Sequence, residues 1–306
     1  MSKENLVAPK IAIIGAGAVG STAAYTLMLK NLASQLIVID IDDSKETGEV
    51  MDIDDGLCFV ETGCVSGADF HDAASADIII ITAGVAQKPG ETRLDLAKKN
   101  KAIITSIFKR IGKLKPSAVV IMISNPVDVL THLAQEISGL PHNQVFGSST
   151  SLETARLKTQ LAHRLEVHPQ SIDGFVLGEH GDSGFVAWSS VTVGGAPISD
   201  FLKPAELIKI EKKVKNEVYD IINRKGATFF GISMVISELV EAVALDQRKI
   251  MPVSARLKHY NGVSGVTLGL PAVIGRAGVL EVWPLKLNAG EKKLLVASAK
   301  KIQQYL

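Results

Sequence analysis

Four runs in the first half of the chain are apolar at successive positions: IAIIG (11–15), LIVID (36–40), DIIIIT (77–82) and AVVIMIS (118–124). Short Ile/Val-rich segments that are apolar on both faces suit a parallel sheet covered by helices on both sides. Between them the pattern predicts helices over about 19–32, 42–57 and 92–112, and Pro116 closes the third connection because proline cannot continue a helix. This alternation predicts an α/β domain with a Rossmann-type, doubly wound parallel sheet and right-handed crossovers. The second half reads differently. Helices are predicted near 151–165, 203–223, 226–244 and 289–304, and shorter strands at 172–177, 185–193 and 265–274, among Gly-rich turns. Strands grouped apart from helices predict an α+β domain. The division is expected around GLPHNQVFGSST, giving domains of 1–145 and 146–306.

Length agrees with that division, since 306 residues at about 150 per domain make two domains. Lys+Arg 33 against Asp+Glu 32 leaves a net charge of +1, so no overall bias draws the chain to nucleic acid or an acidic membrane. The uncharged run 11–29 is long enough to span a membrane. It nevertheless holds three glycines in six residues, a poor helix interior, and reads better as strand, turn and helix start. The opening MSKENLVAPK puts an acid beside its lysine and has no apolar core, unlike a secretory signal, so a cytoplasmic location without membrane attachment is expected. Cys58 and Cys64 are too few for a disulfide scaffold or a four-cysteine zinc site, and are expected to be reduced and partly buried.

The motif GAGAVG follows the first strand directly. Gly15 permits the tight turn, Gly17 lets the backbone approach a pyrophosphate, and Gly20 lets helix and strand pack closely. The next helix then offers its N-terminal N–H groups to the phosphates. Asp40 ends the second strand twenty residues after Gly20, where an acid can bind the ribose 2′-OH and repel a 2′-phosphate, which favours NAD over NADP. Asp42 competes for that role or caps the following helix.

Four further segments carry polar residues that a fold alone would not need. AGVAQKPGETRLDL (83–96) leaves the carboxyl end of a strand and carries Gln87 and Arg93; the plain alternative is a solvated turn and a helix start. SNP (124–126) puts Asn125 at the same sheet edge, or is a simple turn. In GEHGDS (178–183), His180 stands between Gly178 and Gly181, with backbone freedom and open space beside a ring whose ordinary pKa suits proton transfer. In SLETARLK (151–158), Glu153 and Arg156 share a helix face, as a surface ion pair or as groups set against a buried face.

The succession GAGAVG, GETRLDL, NPVD, LETAR and GEHGD, over about 10–304, resembles the L-2-hydroxy acid dehydrogenases, the lactate and malate dehydrogenase family. The resemblance implies NAD as cofactor, held by Gly15, Gly17, Ala18, Val19, Gly20, Asp40, Thr82, Ala83, Gly84 and Asn125. It implies that His180 protonates the substrate carbonyl as hydride arrives and acts as base in reverse. Arg156 matches the arginine that grips the substrate carboxylate in a two-pronged pair. Arg93 matches the loop arginine that polarises the carbonyl on closure, Asn125 the amide on the substrate oxygen, and Thr228 a residue lining the pocket. At the position of Gln87 malate enzymes carry Arg, so a neutral Gln leaves the second carboxylate of oxaloacetate unpaired and favours pyruvate and L-lactate, the fermentative step at the end of glycolysis. A malate or broader 2-oxo acid dehydrogenase is the alternative.

Two departures stand out. Glu153 occupies the place of the family's aspartate partner of the catalytic histidine, and its extra methylene displaces the carboxylate by roughly an ångström. An active but weakened enzyme is expected, and a nucleotide-binding protein with weakened catalysis is the minor alternative. Lys158 and Asp173 stand where many bacterial relatives hold fructose 1,6-bisphosphate with Arg and His; Asp would repel a phosphate, so activation is expected to be weak or absent. The family is usually dimeric or tetrameric. A homotetramer is expected, with GEVMDIDDG resembling the interface helix, and from the tail of about nine residues before the first strand the longer assembly arm of animal relatives is expected to be absent.

Overall fold

The apolar runs form the interior of one sheet. The computed structural model describes residues 8–61, 63–86, 90 and 92–306, with Arg93 by its backbone alone. In chain order the first half holds β1 (Lys10–Ile14), α1 (Ala18–Leu29), β2 (Gln35–Ile39), α2 (Asp43–Asp55), β3 (Val65–Gly67), β4 (Ile78–Ile81), α3 (Arg93–Ile111), β5 (Val119–Met122), α4 (Val127–Ile137) and β6 (Val145–Gly147). The six strands are parallel in the order β3-β2-β1-β4-β5-β6. Strand order reverses between β1 and β4, so a crevice opens beyond their carboxyl ends, where ligands bind in sheets of this kind.

Side chains alternate between two covered faces. Ile11, Ile13, Ile78 and Ile80 pack with Ala23 and Leu27 of α1 on one side. Ala12, Ile14, Ile79 and Ile81 pack with Ile104, Ile107 and Phe108 of α3 on the other. Burial on both faces is why these strands read as unbroken apolar runs.

The second half holds α5 (Ser151–Leu165), the short strands β7 (Ile172–Asp173), β8 (Val176–Leu177), β9 (Phe185–Val186), β10 (Thr192–Val193) and β11 (Ala196–Pro197), then α6 (Pro204–Lys225), α7 (Phe230–Ala244), β12 (Lys249–Arg256), β13 (Thr267–Gly275), β14 (Gly278–Val282) and α8 (Ala289–Gln303). Its long strands do not form a sheet of their own. β12, β13 and β14 run antiparallel and extend the first sheet to nine strands, joined to β6 where Ser254 faces Gly147. Ile236, Leu239 and Val240 of α7 complete the core over α1.

Cys58 and Cys64 are free thiols but exposed, a correction to the expected partial burial: the segment after α2 lies on the surface. Among the described residues, no helix is long and apolar enough to cross a membrane.

Candidate active site

The glycine turn sits at the mouth of the crevice. Gly15 has φ +111°, a left-handed conformation that favours glycine, and a Cβ there would lie 2.7 Å from Thr82 Oγ1 and from the Ala83 nitrogen. A Cβ on Gly20 would come within 1.8 Å of the Gly15 carbonyl oxygen, so α1 meets β1 more closely than any side chain permits. At Gly17, the N-cap of α1, a Cβ would meet nothing within 4 Å. Ala18 and Val19 open a helix with no side-chain cap and no acid in its first turn. Those N–H groups, which a helix cannot satisfy itself, face the open space in front of Gly17. This cradle fits the phosphates of a dinucleotide, an anion at an uncapped N-terminus.

Asp40 follows β2, and its Oδ2 accepts from the Ala16 N–H at 2.6 Å while Oδ1 accepts from Ile41 N (2.7 Å) and Asp42 N (3.1 Å). Its carboxylate thus steadies the turn from the adjacent strand. Asp42 caps α2, accepting from Lys45 N at 3.1 Å.

A second turn leaves β4 alongside. Thr82 Oγ1 donates to the Gly15 carbonyl at 2.9 Å, and the Thr82 and Ala83 N–H groups both donate to Ile14 O at 2.9 Å. Gly84 packs against Asn100 of α3, a buried amide that the sequence reading missed. Asn100 accepts from Val85 N (2.9 Å) and donates to Val85 O (3.1 Å) and Asn125 O (2.7 Å), so it ties this turn to the Asn125–Pro126 turn, whose peptide bond is cis. Gln87 and the Arg93 side chain lie outside the described residues; the Arg93 backbone begins α3 behind the Thr92 cap.

His180 stands on a segment fixed residue by residue. Gly178, at φ +91°, exchanges backbone hydrogen bonds with Gly269 of β13, at 2.9 and 2.8 Å. Glu179 N donates to Ser298 Oγ of α8 (2.7 Å), and His180 N to Asp128 Oδ2 of α4 (2.7 Å). Gly178 therefore supplies one fixed turn rather than the freedom the sequence suggested.

The imidazole meets Glu153 of α5, with Nδ1 to Oε1 at 2.8 Å. The contact is close but off line. Among the described residues, neither His180 Nδ1 nor Glu153 Oε2, both buried, has a partner in hydrogen-bonding geometry. Their attraction is mainly coulombic. Burial alone would push the imidazole pKa down, but the Glu153 carboxylate and then Asp128 outweigh burial and Arg156, and raise it to about 9. Burial would raise Glu153, yet His180 holds it below the ordinary carboxylate value. Glu153 also lines a cavity of about 20 Å³ with Glu179, Glu211 and Lys215, room for a single water.

Arg156, on the same helix, is only 7% exposed, and its ion pair is with Glu217 of α6 at 3.9 Å, not with Glu153. So loose a pair leaves a buried guanidinium able to accept a further anion. Thr228 is half-buried between α6 and α7, and no hydrogen bond among the described residues ties it to the others. Lys158 and Asp173 face each other at 3.8 Å, and burial lowers the Lys158 pKa.

Residues 9–147 match the family model for the lactate/malate dehydrogenase NAD binding domain, and residues 150–306 that for the alpha/beta C-terminal domain. An L-lactate dehydrogenase of Clostridium botulinum (strain Loch Maree / Type A3) is 38% identical, over 97% of this chain and 96% of its own. L-lactate dehydrogenase 1 of Clostridium acetobutylicum is 38% identical over 97% of both. The crystal structure of a lactate dehydrogenase from a Medee basin deep-sea metagenome library superposes with a TM-score of 0.94 at 37% identity, covering 97% of this chain and 98% of that one. The minor L-lactate dehydrogenase of Enterococcus mundtii, in a ligand-bound form, gives the same TM-score and identity, over 97% and 96%.

Proposed function

The chain belongs to the lactate/malate dehydrogenase family, and from that premise we propose that it is an NAD-dependent L-lactate dehydrogenase interconverting pyruvate and L-lactate. The observation that carries the reading is the half-buried His180–Glu153 pair beside the loosely paired, buried Arg156. Residues 1–145 hold the cofactor, and 146–306 supply most of the substrate chemistry.

The Gly15–Gly20 turn and the first turn of α1 would hold the NAD pyrophosphate, Asp40 the ribose hydroxyls, and Thr82, Ala83, Gly84 and Asn125 the wall of the crevice. When bound, NAD supplies or accepts the hydride. The protein does the rest. Arg156 receives the substrate carboxylate, since a planar guanidinium matches a planar anion in two bonds. His180 gives its Nε2 proton to the carbonyl oxygen as that oxygen becomes a hydroxyl, and takes it back in lactate oxidation. Glu153, at Nδ1, holds the ring and stabilises its positive form. Asn125 donates to the substrate oxygen, Thr228 lines the pocket, and Arg93 polarises the carbonyl when its loop closes and water is expelled.

Gln87 sets the substrate side chain. Being neutral, it accepts the methyl of pyruvate and leaves the second carboxylate of oxaloacetate unpaired, which costs several kcal/mol in a closed site. NADH oxidation with pyruvate, oxaloacetate and longer 2-oxo acids tests this. The expected order puts kcat/KM highest for pyruvate; a higher value for oxaloacetate would overturn it.

The same reading places the enzyme in the cytoplasm as a homo-oligomer. Support comes from Tyr25 and Leu29 on α1, Met51 on α2, Phe59 beyond it, and Phe230 and Met234 on α7, apolar residues left exposed on one chain.

A further inference from the structure

Asp128 lies in the first turn of α4, three residues beyond Asn125, and is 2% exposed. Oδ1 accepts from Ser149 Oγ at 2.7 Å and from Ser254 Oγ at 2.6 Å, and Oδ2 from the His180 N–H at 2.7 Å. Each donor arrives on a different piece of the site. Ser149, itself held at φ +38°, precedes α5 and so the helix of Glu153 and Arg156. Ser254 belongs to β12, where the two halves of the sheet join. One buried carboxylate thus sets the mutual placement of the segments that carry Asn125, Glu153, Arg156 and His180.

An ionised carboxylate satisfies all three donors at once. A neutral one would turn its own proton on one of the two hydroxyls, or lose the His180 N–H. Burial does push the Asp128 pKa up, and the three donors oppose it. A buried charge without an ion partner is expensive and is retained only where its hydrogen bonds are complete.

We infer that Asp128 is a positioning residue for His180: it anchors the segment through the His180 backbone N–H and adds a second negative charge near a histidine whose named partner, Glu153, is off line. This rests on the proposed role of His180. Among the described residues, the charged groups that act on the ring include Asp128 on α4 and Glu153 and Arg156 on α5; Glu179 and Asp182 lie on its own segment, both paired to Lys301 of α8, Glu217 of α6 faces Arg156, and Glu211 and Lys215 of α6 share a small cavity with Glu153 and Glu179. Of these, Asp128 is 2% exposed, accepts three short hydrogen bonds and bonds the His180 backbone itself.

Two substitutions separate charge from anchor. Asp128→Asn keeps an oxygen for the His180 N–H and removes the charge; Asp128→Ala removes both. The His180 titration is followed directly in the free enzyme by NMR of histidine-labelled protein, assigned with His180→Asn. In Asp128→Asn the His180 midpoint should fall by about one pH unit, and the alkaline limb of kcat/KM for pyruvate should fall with it. NADH binding by fluorescence and pyruvate KM should stay near wild type, because neither Arg156 nor the glycine turn loses a partner. In Asp128→Ala, kcat should fall on the order of 100-fold at every pH, as expected of a displaced ring. A midpoint unmoved in Asp128→Asn, together with kcat in Asp128→Ala within about threefold of wild type, would overturn the inference. Should Asp128→Asn fail to fold, Ser149→Ala and Ser254→Ala each strip one donor and favour the neutral carboxyl, so both should lower the His180 midpoint; no change in either is equally decisive against it. The NMR titration needs no substrate. A wild-type protein that reduces no 2-oxo acid would overturn the proposed function whatever Asp128 does.

Discussion

The glycine turn and the His180 segment are held in opposite ways. The glycine turn is held mostly by backbone: Gly15 lies against the β4 exit, Gly20 against the Gly15 carbonyl, with the Thr82 hydroxyl between them, and one side chain, Asp40, accepts from the Ala16 N–H. The His180 segment is held by side chains brought from far along the chain, Asp128, Ser298 and Glu153, two of them carboxylates, Asp128 buried and Glu153 half-buried. The first arrangement leaves open space in front of Gly17 and puts no acid in the first turn of α1. The second surrounds one ring with negative charge and so keeps its proton on. A cofactor site made of backbone requires glycines at set places, whereas a proton donor requires a tuned field.

The largest effect should separate two glycines three residues apart. Gly20→Ala drives a Cβ into the Gly15 carbonyl, and little soluble, folded protein is expected; overpacking commonly costs about 1–3 kcal/mol, and here the obstacle is backbone. Gly17→Ala meets open space, so its Tm should stay near wild type while NADH binds about tenfold more weakly, the methyl standing where the pyrophosphate approaches. Thermal melting and NADH fluorescence read both. Equal losses of Tm would break the backbone half of the comparison.

Next comes charge at the histidine. Glu153→Gln removes the main force raising the imidazole, and burial then takes it below its ordinary value. Pyruvate reduction near pH 8 should fall on the order of 30-fold, since the ring is then mostly neutral. Stopped-flow NADH oxidation measures it. Glu153→Asp should leave kcat equal or higher, because the shorter arm can bring the carboxylate into line with Nδ1; a collapse of activity would mean that the site is built around the longer side chain. The smallest effect belongs to fructose 1,6-bisphosphate. With Lys158 facing Asp173, the sugar bisphosphate should leave pyruvate KM unchanged, and a large fall would contradict that.

The contrast also explains what could be read from sequence. The GAGAVG turn, the parallel strands and Asp40 were legible because local backbone geometry and two-sided burial leave local signatures. α4 was missed because it begins immediately after Asn125–Pro126, which reads as a turn. β12 was missed because Pro252 argues against a strand; it faces Pro271 of β13, so the pair sits where the ladder asks for no N–H. β6 spans only three residues, and β14 starts at Gly278, whose positive φ reads as a turn. His180, Glu153 and Arg156 could be named through the family resemblance, but not the off-line contact between the first two. Asp128 lay inside the quoted NPVD and went unremarked, because its donors come from positions 149, 180 and 254, a convergence that only the fold produces.

The central claim is that pyruvate is protonated by a histidine kept charged by neighbouring carboxylates, and the pH profile of kcat/KM for pyruvate reduction tests it most directly. Reduction uses the protonated ring, whose pKa is raised to about 9, so the profile should be level through neutrality and fall with the loss of one proton near that pH, while lactate oxidation rises over the same interval. A midpoint at or below the ordinary histidine value of about 6.5, or a profile without a one-proton limb, would contradict the account.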